Sequence, residues 1–252
     1  MVNYSRIIAM NTDVTDLDAT VSIVQSLAVS RQGSYICLSN VHMCMEVLDS
    51  LNFRSMVNGA DMVVPDGRPI FWAQKLLGAS EATQVRGQEI MYTLCKISGE
   101  KRLNIGLYGG SSDIVLEKVV KALKKSCPGI RLSYVYAPPF RALTVDEDKS
   151  VVRTINDAEV NILFVGLGCP KQERWMAAHK GRLSCVMIGV GAAFDFIAGS
   201  KRQAPLWMQK LGLEWLFRLL SEPRRLWKRY LKQNPRFIYH FACQWLFGKK
   251  YL

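Results

Sequence analysis

Residues 161–173 read NILFVGLGCPKQE, an apolar run followed by a glycine-containing turn and the start of a helical pattern. The run at 162–165 is continuous and does not alternate with polar residues, which is typical of a strand buried on both faces of a parallel sheet. From residue 172 to residue 179 the apolar spacing becomes helical. The segment therefore predicts a strand–turn–helix unit of an α/β protein.

The same unit recurs through residues 1–200. Further strands are predicted at 6–10, 35–38, 62–64, 103–108, 131–136 and 185–190. Further helices are predicted at 17–29, 43–58, 69–77, 89–98, 113–126 and 145–156. Alternating strands and helices with short connections predict a doubly wound, mostly parallel sheet with helices on both faces.

From residue 201 the pattern is helical, with helices predicted at 205–220, 222–233 and 237–247. Asn234-Pro235 is predicted to end the second of them, because proline lacks the N–H that a helix interior needs. The net charge is +12, and residues 201–252 carry 12 Lys and Arg against 2 Asp and Glu. They also hold 11 of the 25 aromatic residues, so a basic, aromatic appendage follows a nearly neutral body.

Helical geometry gives the helix predicted at 222–233 a basic face and, opposite it, an apolar face with a tryptophan. Such a helix is typical of docking on an anionic membrane surface, and an ordinary solvated face is the alternative. The aromatic run at 237–247 is too short to span a bilayer. The basic face holds Arg224, Arg225, Lys228, Arg229 and Lys232, and the apolar face holds Leu226, Trp227, Tyr230 and Leu231.

The composition excludes several classes of protein. With 49% apolar and 21% charged residues the chain is not disordered in bulk. No stretch approaches the roughly 20 apolar residues of a spanning helix, and the first residues lack a secretory signal pattern. The seven cysteines form no CxxC pair and predict free thiols in a reducing compartment. No metal site is predicted, because the three histidines are isolated and the acidic triplet at 146–148 begins a helix.

Ligands of an open α/β sheet bind at the carboxyl ends of its strands. Two predicted strands end in glycine-rich turns that open helices, at Gly109-Gly110 and at Gly168. Such turns offer N–H groups to phosphate, whereas a tight turn without a ligand is the alternative. Neither turn matches GxGxxG or GxxxxGK[ST], so together they favour a nucleotide or diphosphate ligand without indicating NAD or a P-loop.

Three charged residues are candidates for chemistry at this edge. Asp66 follows an apolar strand in Pro65-Asp66-Gly67, where it is either a general base or a turn former. Arg86 opens a helix and either binds a diphosphate or forms a surface ion pair. Asp195 follows the last strand and either contacts a ligand or pairs with Arg202.

These motifs, in this order, resemble the WecG/TagA/CpsF family of bacterial glycosyltransferases over residues 5–235. The matching residues are Asn40, Pro65-Asp66-Gly67, Arg86-Gly87, Gly109-Gly110, Gly168-x-Pro170-Lys171-Gln172-Glu173, Gly189 to Asp195, Arg202-x-Ala204-Pro205-x-Trp207, Gly212-Leu213-Glu214-Trp215-Leu216-x-Arg218-Leu219 and Glu222-Pro223-x-Arg225. The resemblance implies a Rossmann-like fold and an inverting, metal-independent hexosyltransferase without a cofactor. It also implies a UDP-sugar donor (N-acetylmannosamine, its uronate or glucose) and a polyprenyl-diphosphate-linked saccharide acceptor in surface polysaccharide synthesis.

The resemblance further implies roles for individual residues. Asp66 would be the base, with Asn40 and Arg86 as further catalytic residues. Expected substrate-binding residues are Ser39, Gly67, Gly109, Gly110, Gly168, Lys171, Gln172 and Asp195. Residues expected at the lipid diphosphate or the membrane are Arg218, Arg224, Arg225, Lys228 and Arg229. Leu38 stands where the family often has Thr, so an acceptor contact at that point is not carried over.

We therefore expect a catalytic domain at 1–200 and a membrane-docking helical appendage at 201–252, peripheral on the cytoplasmic face of the inner membrane and able to form a homo-oligomer. Nucleic-acid binding by the appendage is a rival function. It is disfavoured because the aromatic residues follow the apolar face of a helix, which base stacking does not require. An NAD(P)-dependent enzyme would need a GxGxxG turn after the first strand, where Met10-Asn-Thr-Asp-Val stands instead.

Overall fold

The computed structural model describes residues 3–248. Its strands are β1 (Tyr4–Ile7), β2 (Met10–Asp13), β3 (Tyr35–Ser39), β4 (Met62–Pro65), β5 (Ile105–Gly109), β6 (Leu132–Tyr136), β7 (Ile162–Gly166) and β8 (Val186–Gly189). Within these residues, β3 to β8 form one parallel sheet in the order β4-β3-β8-β7-β5-β6. The predicted α/β class, with a Rossmann-like parallel sheet, is confirmed.

Helices cover both faces of this sheet. In the described chain they are α1 (Leu17–Ser30), α2 (Val41–Asp49), α3 (Leu51–Asn58), α4 (Arg68–Leu76), α5 (Gly87–Ile97), α6 (Asp113–Ser126), α7 (Val145–Asp157), α8 (Lys171–His179), α9 (Ala193–Ile197), α10 (Leu206–Lys210), α11 (Glu214–Ser221) and α12 (Pro223–Phe247). Leu163 and Val165 of β7 join the core under α2, α3, α7 and α8, whereas Ile162 and Phe164 join the core under α1, α5 and α6. This two-sided burial explains why the strands read as continuous apolar runs.

Two elements near the N-terminus differ from the prediction. The single strand predicted at 6–10 is wrong, because residues 4–13 form an antiparallel hairpin of β1 and β2 outside the main sheet. The chain reverses at Ile8, whose φ of 59° lies in the left-handed region. The single helix predicted at 43–58 is interrupted at Ser50, whose hydroxyl accepts a hydrogen bond from the Phe53 N–H and so caps α3.

The C-terminal helices differ as well. The helix predicted at 205–220 is divided into α10 and α11 by a turn. The predicted helix end at Asn234-Pro235 is wrong, because α12 continues through Pro235. Leu226 on one side of the proline, and Phe237 and Phe241 on the other, are almost fully buried. This packing on both sides offsets the backbone hydrogen bond that proline removes.

Contacts tie α12 to the body of the molecule. The Gln244 Oε1 atom accepts from the Ile8 N–H at 2.7 Å, and its Nε2 atom donates to the Arg6 carbonyl at 2.7 Å. Arg236 donates to an Asp49 carboxylate oxygen at 2.9 Å. The division at residue 200 stays a prediction, and residues 249–252 of the predicted appendage lie outside the described residues. Across residues 3–248, no helix is both long enough and apolar enough to cross a bilayer.

Candidate active site

The carboxyl ends of the parallel strands place most of the predicted residues along one edge of the sheet. The N–H groups of Asp66 and Gly67 both donate to the Ser39 carbonyl, at 3.1 and 2.9 Å, which fixes the β4–α4 turn against the end of β3. Further along the edge, the Gly110 N–H donates to the Gly166 carbonyl at 3.1 Å. Backbone hydrogen bonds between neighbouring strand ends therefore fix the two turns in which the chemistry was predicted.

Asp66 is a half-buried carboxylate at this edge. Its Oδ1 atom accepts from the Gly87 N–H at 3.0 Å, and its carbonyl accepts from the Gln84 side chain at 2.6 Å. Burial raises the pKa of Asp66 to about 6, against the opposing effects of the Gly87 N–H and the Arg86 and Arg218 charges. The carboxylate is thus mostly ionised at neutral pH and more basic than a solvated aspartate, as a general base requires.

Asn40 and Ser39 differ in what they offer to a ligand. The Asn40 Oδ1 atom accepts from the Met43 N–H at 3.1 Å and caps α2, while the Nδ2 group is a hydrogen-bond donor at the sheet edge. The Ser39 side chain is fully buried, and its hydroxyl donates to the Val64 carbonyl at 2.9 Å. The Ser39 hydroxyl is thus bound within the protein and its carbonyl holds the turn at Asp66, while the expected substrate contact of Ser39 stays a prediction.

Gln172 is also turned inward. Its Oε1 atom accepts from the Gly168 and Gly191 N–H groups, both at 3.1 Å, and its Nε2 group donates to Glu173 at 2.6 Å. Its carboxamide thus joins the loops after β7 and β8, and the expected substrate contact of Gln172 stays a prediction. Lys171, one residue earlier, is exposed at the start of α8.

Asp195 and Arg86 have partners that sequence reasoning did not assign. Asp195 pairs with Lys201 at 2.6 Å, and not with Arg202, and also accepts from the Ser111 hydroxyl at 3.4 Å. The Arg86 guanidinium donates to Gln209 Oε1 and, at 2.9 Å, to Glu214 Oε2. Arg86 thus forms a partly exposed ion pair with α11, which is one of the two expected arrangements, and its contact with a diphosphate stays a prediction.

The expected lipid-diphosphate residues separate into three groups. Arg218 lies near enough to Asp66 for its positive charge to lower the pKa of that carboxyl. Burial of His42 and, as a smaller effect, the positive charge of Arg229 lower the pKa of this histidine to about 4. The Nε atoms of Arg218 and Arg229 are buried without a hydrogen-bond partner among residues 3–248. Arg225 is held by Glu222 at 2.6 and 2.8 Å. Arg224 and Lys228 are exposed on α12.

Candidate metal ligands are poorly grouped. Within residues 3–248, no set of three or more His, Cys, Asp or Glu side chains could hold a metal ion. His179 is bound to Asp148 at 2.9 Å, and this aspartate also pairs with Arg182. All seven cysteines are unpaired, as predicted.

Comparison with known proteins identifies the family of the chain. The model of the glycosyl transferase WecG/TagA/CpsF family matches residues 5–251. The chain belongs to this family. It is 32% identical over 215 residues to the N-acetylglucosaminyldiphosphoundecaprenol N-acetyl-beta-D-mannosaminyltransferase of Staphylococcus aureus strain MW2, covering 84% of this chain and 81% of the relative. A protein of the same name from Bacillus spizizenii is 25% identical over 226 residues, covering 89% and 85% of the two chains.

The predicted family and enzyme class are therefore confirmed, and the chain is a glycosyltransferase. Its site contains polar residues to which sequence reasoning gave no role. Glu214 and Gln209 bind Arg86, and the fully buried Glu173 binds Gln172. Glu214 and Glu173 belong to matching motifs, but their partners depend on contacts that the linear sequence does not display.

In this glycosyltransferase we expect Gly168→Ala to reduce activity by at least about tenfold at a stability loss of about 1 kcal/mol. Gly168 has a φ of 79°, and an added Cβ would meet no atom within 4 Å, so the methyl group would obstruct a ligand and not the protein. The matched control is Gly129→Ala, because Gly129 has a φ of 86° in equally open space away from the sheet edge. Turnover and urea unfolding of both variants test this, and equal activity in the two would contradict it.

Proposed function

We propose that this glycosyltransferase moves a hexose from a UDP-sugar to a polyprenyl-diphosphate-linked saccharide, with inversion and without a metal ion, in bacterial surface polysaccharide synthesis. The observation that carries the proposal is the basic Asp66 carboxylate, fixed at the sheet edge by Ser39 and Gly87. The names of the two relatives support the substrate class, because both name N-acetylglucosaminyldiphosphoundecaprenol. An N-acetylmannosamine donor is thus favoured over its uronate or glucose.

The proposed reaction is a single displacement. Asp66 accepts the proton of the acceptor hydroxyl as its oxygen attacks the anomeric carbon of the donor sugar. The bond from that carbon to UDP breaks, and its electron pair leaves on the β-phosphate oxygen. Attack opposite the leaving group inverts the anomeric centre, so an α-linked donor gives a β-linked product.

Arginine and backbone N–H groups are proposed to stabilise the diphosphates. Arg218 and Arg229 have buried Nε donors near the base and near the start of α2. The turns at Gly109-Gly110 and Gly168 precede α6 and α8, whose first N–H groups face the sheet edge. These groups can neutralise negative charge on departing UDP, as electrostatic catalysis requires.

A surface of α12 supports docking on the cytoplasmic face of the plasma membrane. Trp227, Leu231, Ile238 and Trp245 are 46%, 66%, 67% and 54% exposed, and their spacing places them along one stripe of the helix. Leu226 of the predicted apolar face is instead buried against the protein, so the structure divides that face into a packed half and an exposed half. An exposed stripe beside Arg224 and Lys228 suits the interface of an anionic membrane.

Membrane binding is expected to weaken at least about tenfold in the double variant Trp227→Ser/Leu231→Ser, because each buried apolar side chain contributes about 1.5–3 kcal/mol. The measurement is co-sedimentation with anionic phospholipid vesicles. Val29→Ser is the control, since Val29 is 73% exposed on α1. Unchanged binding of the double variant would remove α12 from the docking surface.

Activity is expected to fall on acidification. Protonated Asp66 accepts no proton, so kcat/KM should decrease about tenfold per pH unit below the pKa of about 6. Above that pH the carboxylate is ionised and the profile should level off. A rate profile from about pH 5 to about pH 8 measures this. A flat profile with chemistry as the slow step would count against Asp66 as the base.

The function as a whole is tested by supplying a short-chain lipid diphosphate that carries N-acetylglucosamine with each of a panel of UDP-sugars. We expect UDP and a β-linked disaccharide lipid in equal amounts from one donor, with no loss on adding EDTA. Transfer that depends on a divalent cation would overturn metal independence. An α-linked product would overturn inversion, and no transfer from any UDP-sugar would overturn the donor class.

A further inference from the structure

Residues 203–214 form hydrogen bonds with the residues at the start of α5. Glu214 Oε2 and Gln209 Oε1 both accept from the Arg86 guanidinium, the former at 2.9 Å. The Gln209 carbonyl accepts from Arg68 at 3.2 Å, and Gln203 donates to Gln88. Gln209 is 8% exposed, and its Nε2 group is bound to the Ala204 carbonyl at 2.6 Å, so the acceptor oxygen for Arg86 is fixed from behind.

Arg86 directly precedes Gly87, whose N–H group binds the proposed base Asp66. Gly87 donates its N–H to Asp66 Oδ1 at 3.0 Å. Gly87 is also closely packed, since an added Cβ would lie 2.8 Å from the Leu38 side chain and 3.6 Å from the Val190 carbonyl. Holding Arg86 from the far side therefore helps to fix the direction of this N–H.

Three charges act on the Asp66 carboxylate from the packed elements, namely Arg86 from the start of α5, and Glu214 and Arg218 from α11. A guanidinium that paired directly with Asp66 would stabilise the ionised carboxylate and make it a weaker base. Glu214 and Gln209 occupy the Arg86 donors instead, and the Glu214 charge opposes those of the two arginines.

We infer that Glu214 is a positioning residue for the reaction: by holding Arg86 it keeps the guanidinium from pairing with the Asp66 carboxylate. The inference rests on the proposed function for the role of Asp66 as base. The hydrogen bonds of Glu214 to Arg86 and of Gly87 to Asp66 do not depend on that role. It also means that the fit of residues 203–214 onto the body sets the strength of the base.

The test is a ¹³C NMR titration of the Asp66 carboxyl carbon in the full chain, identified by its loss in Asp66→Asn. In Glu214→Gln we expect the midpoint to fall by at least about half a pH unit from that of the parent. We expect kcat at neutral pH to fall about tenfold while KM stays within about threefold. Glu214→Asp keeps the charge and should retain a midpoint close to that of the parent, which also separates charge from packing.

Asp49→Asn is the matched control. It removes the ion pair between α2 and Arg236 of α12, another bond between the C-terminal segment and the body, without touching Arg86. It should leave the Asp66 titration in place. An unchanged midpoint in Glu214→Gln, or an equal shift in Asp49→Asn, overturns the inference. A shifted midpoint together with full activity of Asp66→Asn supports the positioning of the carboxylate and overturns its proposed role as base.

Discussion

Asp66→Asn is expected to lower kcat by about 10² to 10⁴, the usual contribution of a positioned general base. The amide retains an oxygen that can accept the Gly87 N–H, so the turn at the end of β4 should persist. The binding of UDP should change little, because the variant removes a proton acceptor and no donor to the diphosphate. Single-turnover kinetics with a lipid-linked acceptor and calorimetric titration with UDP test the two statements separately.

The same variant is expected to be at least as stable as the parent at neutral pH. The pKa of Asp66 is about 6 in the folded protein and 3.8 in the reference state, so the folded protein disfavours the ionised carboxylate. The raised pKa makes the folded state relatively more stable below about pH 4, and this contribution to the free energy of unfolding is lost as the pH rises through about 6. The loss is at most about 3 kcal/mol and is smaller where solvent screens the half-buried carboxylate. Asparagine does not titrate, so the advantage of the variant should grow between those pH values. Full turnover by a stable Asp66→Asn protein would contradict the assignment of Asp66 as the base.

Gly109→Ala should be more damaging than Gly168→Ala or Gly129→Ala, with a loss of about 3 kcal/mol or more in the free energy of unfolding. Gly109 ends β5 with a φ of 128°, and an added Cβ would lie 2.6 Å from the backbone of Gly166 in β7. Both partners are backbone of paired strands, so neither can move aside without disturbing the sheet. In Gly129→Ala the φ is also positive but no atom lies within 4 Å, so about 1 kcal/mol is expected.

Urea unfolding of the two variants separates conformational strain from steric overlap. If Gly109→Ala unfolded at the same urea concentration as Gly129→Ala, the close approach of β5 and β7 would not be what Gly109 permits. A large loss confined to Gly109→Ala would show that the glycine serves the sheet first, so its effect on activity would follow from the displaced turn.

The parallel sheet could be predicted because strands that are buried on both faces have apolar residues at consecutive positions. The hairpin at residues 4–13 was missed for the same reason. Its turn residues Ile8 and Ala9 are 0% and 2% exposed under the C-terminal helix, so they look like the middle of a buried strand. Pro235 was misread because the rule for proline is local, whereas the packing of Phe237 and Phe241 comes from distant parts of the chain.

The site was predictable to the level of strand ends and no further. Asp66 was recognised because a carboxylate after a buried strand lies at the binding edge of an α/β sheet. The sequence does not show which polar side chains are satisfied internally. Gln172 accepts a hydrogen bond from Gly191, 19 positions along the chain, and Arg86 donates one to Glu214, 128 positions along the chain. Partners at such distances appear only when the strands are placed in order.

The bonds of Gln244 to Ile8 and Arg6 join positions 236 and 238 residues apart. During synthesis the hairpin leaves the ribosome before α12, so α12 covers the hairpin only after the other described helices have been made. Until then the parts of the hairpin and of α2 that α12 covers are open to chaperones or to aggregation. The order of translation thus places the docking of α12 after that of the other described helices, and a chain that stalls before α12 would expose part of its hairpin.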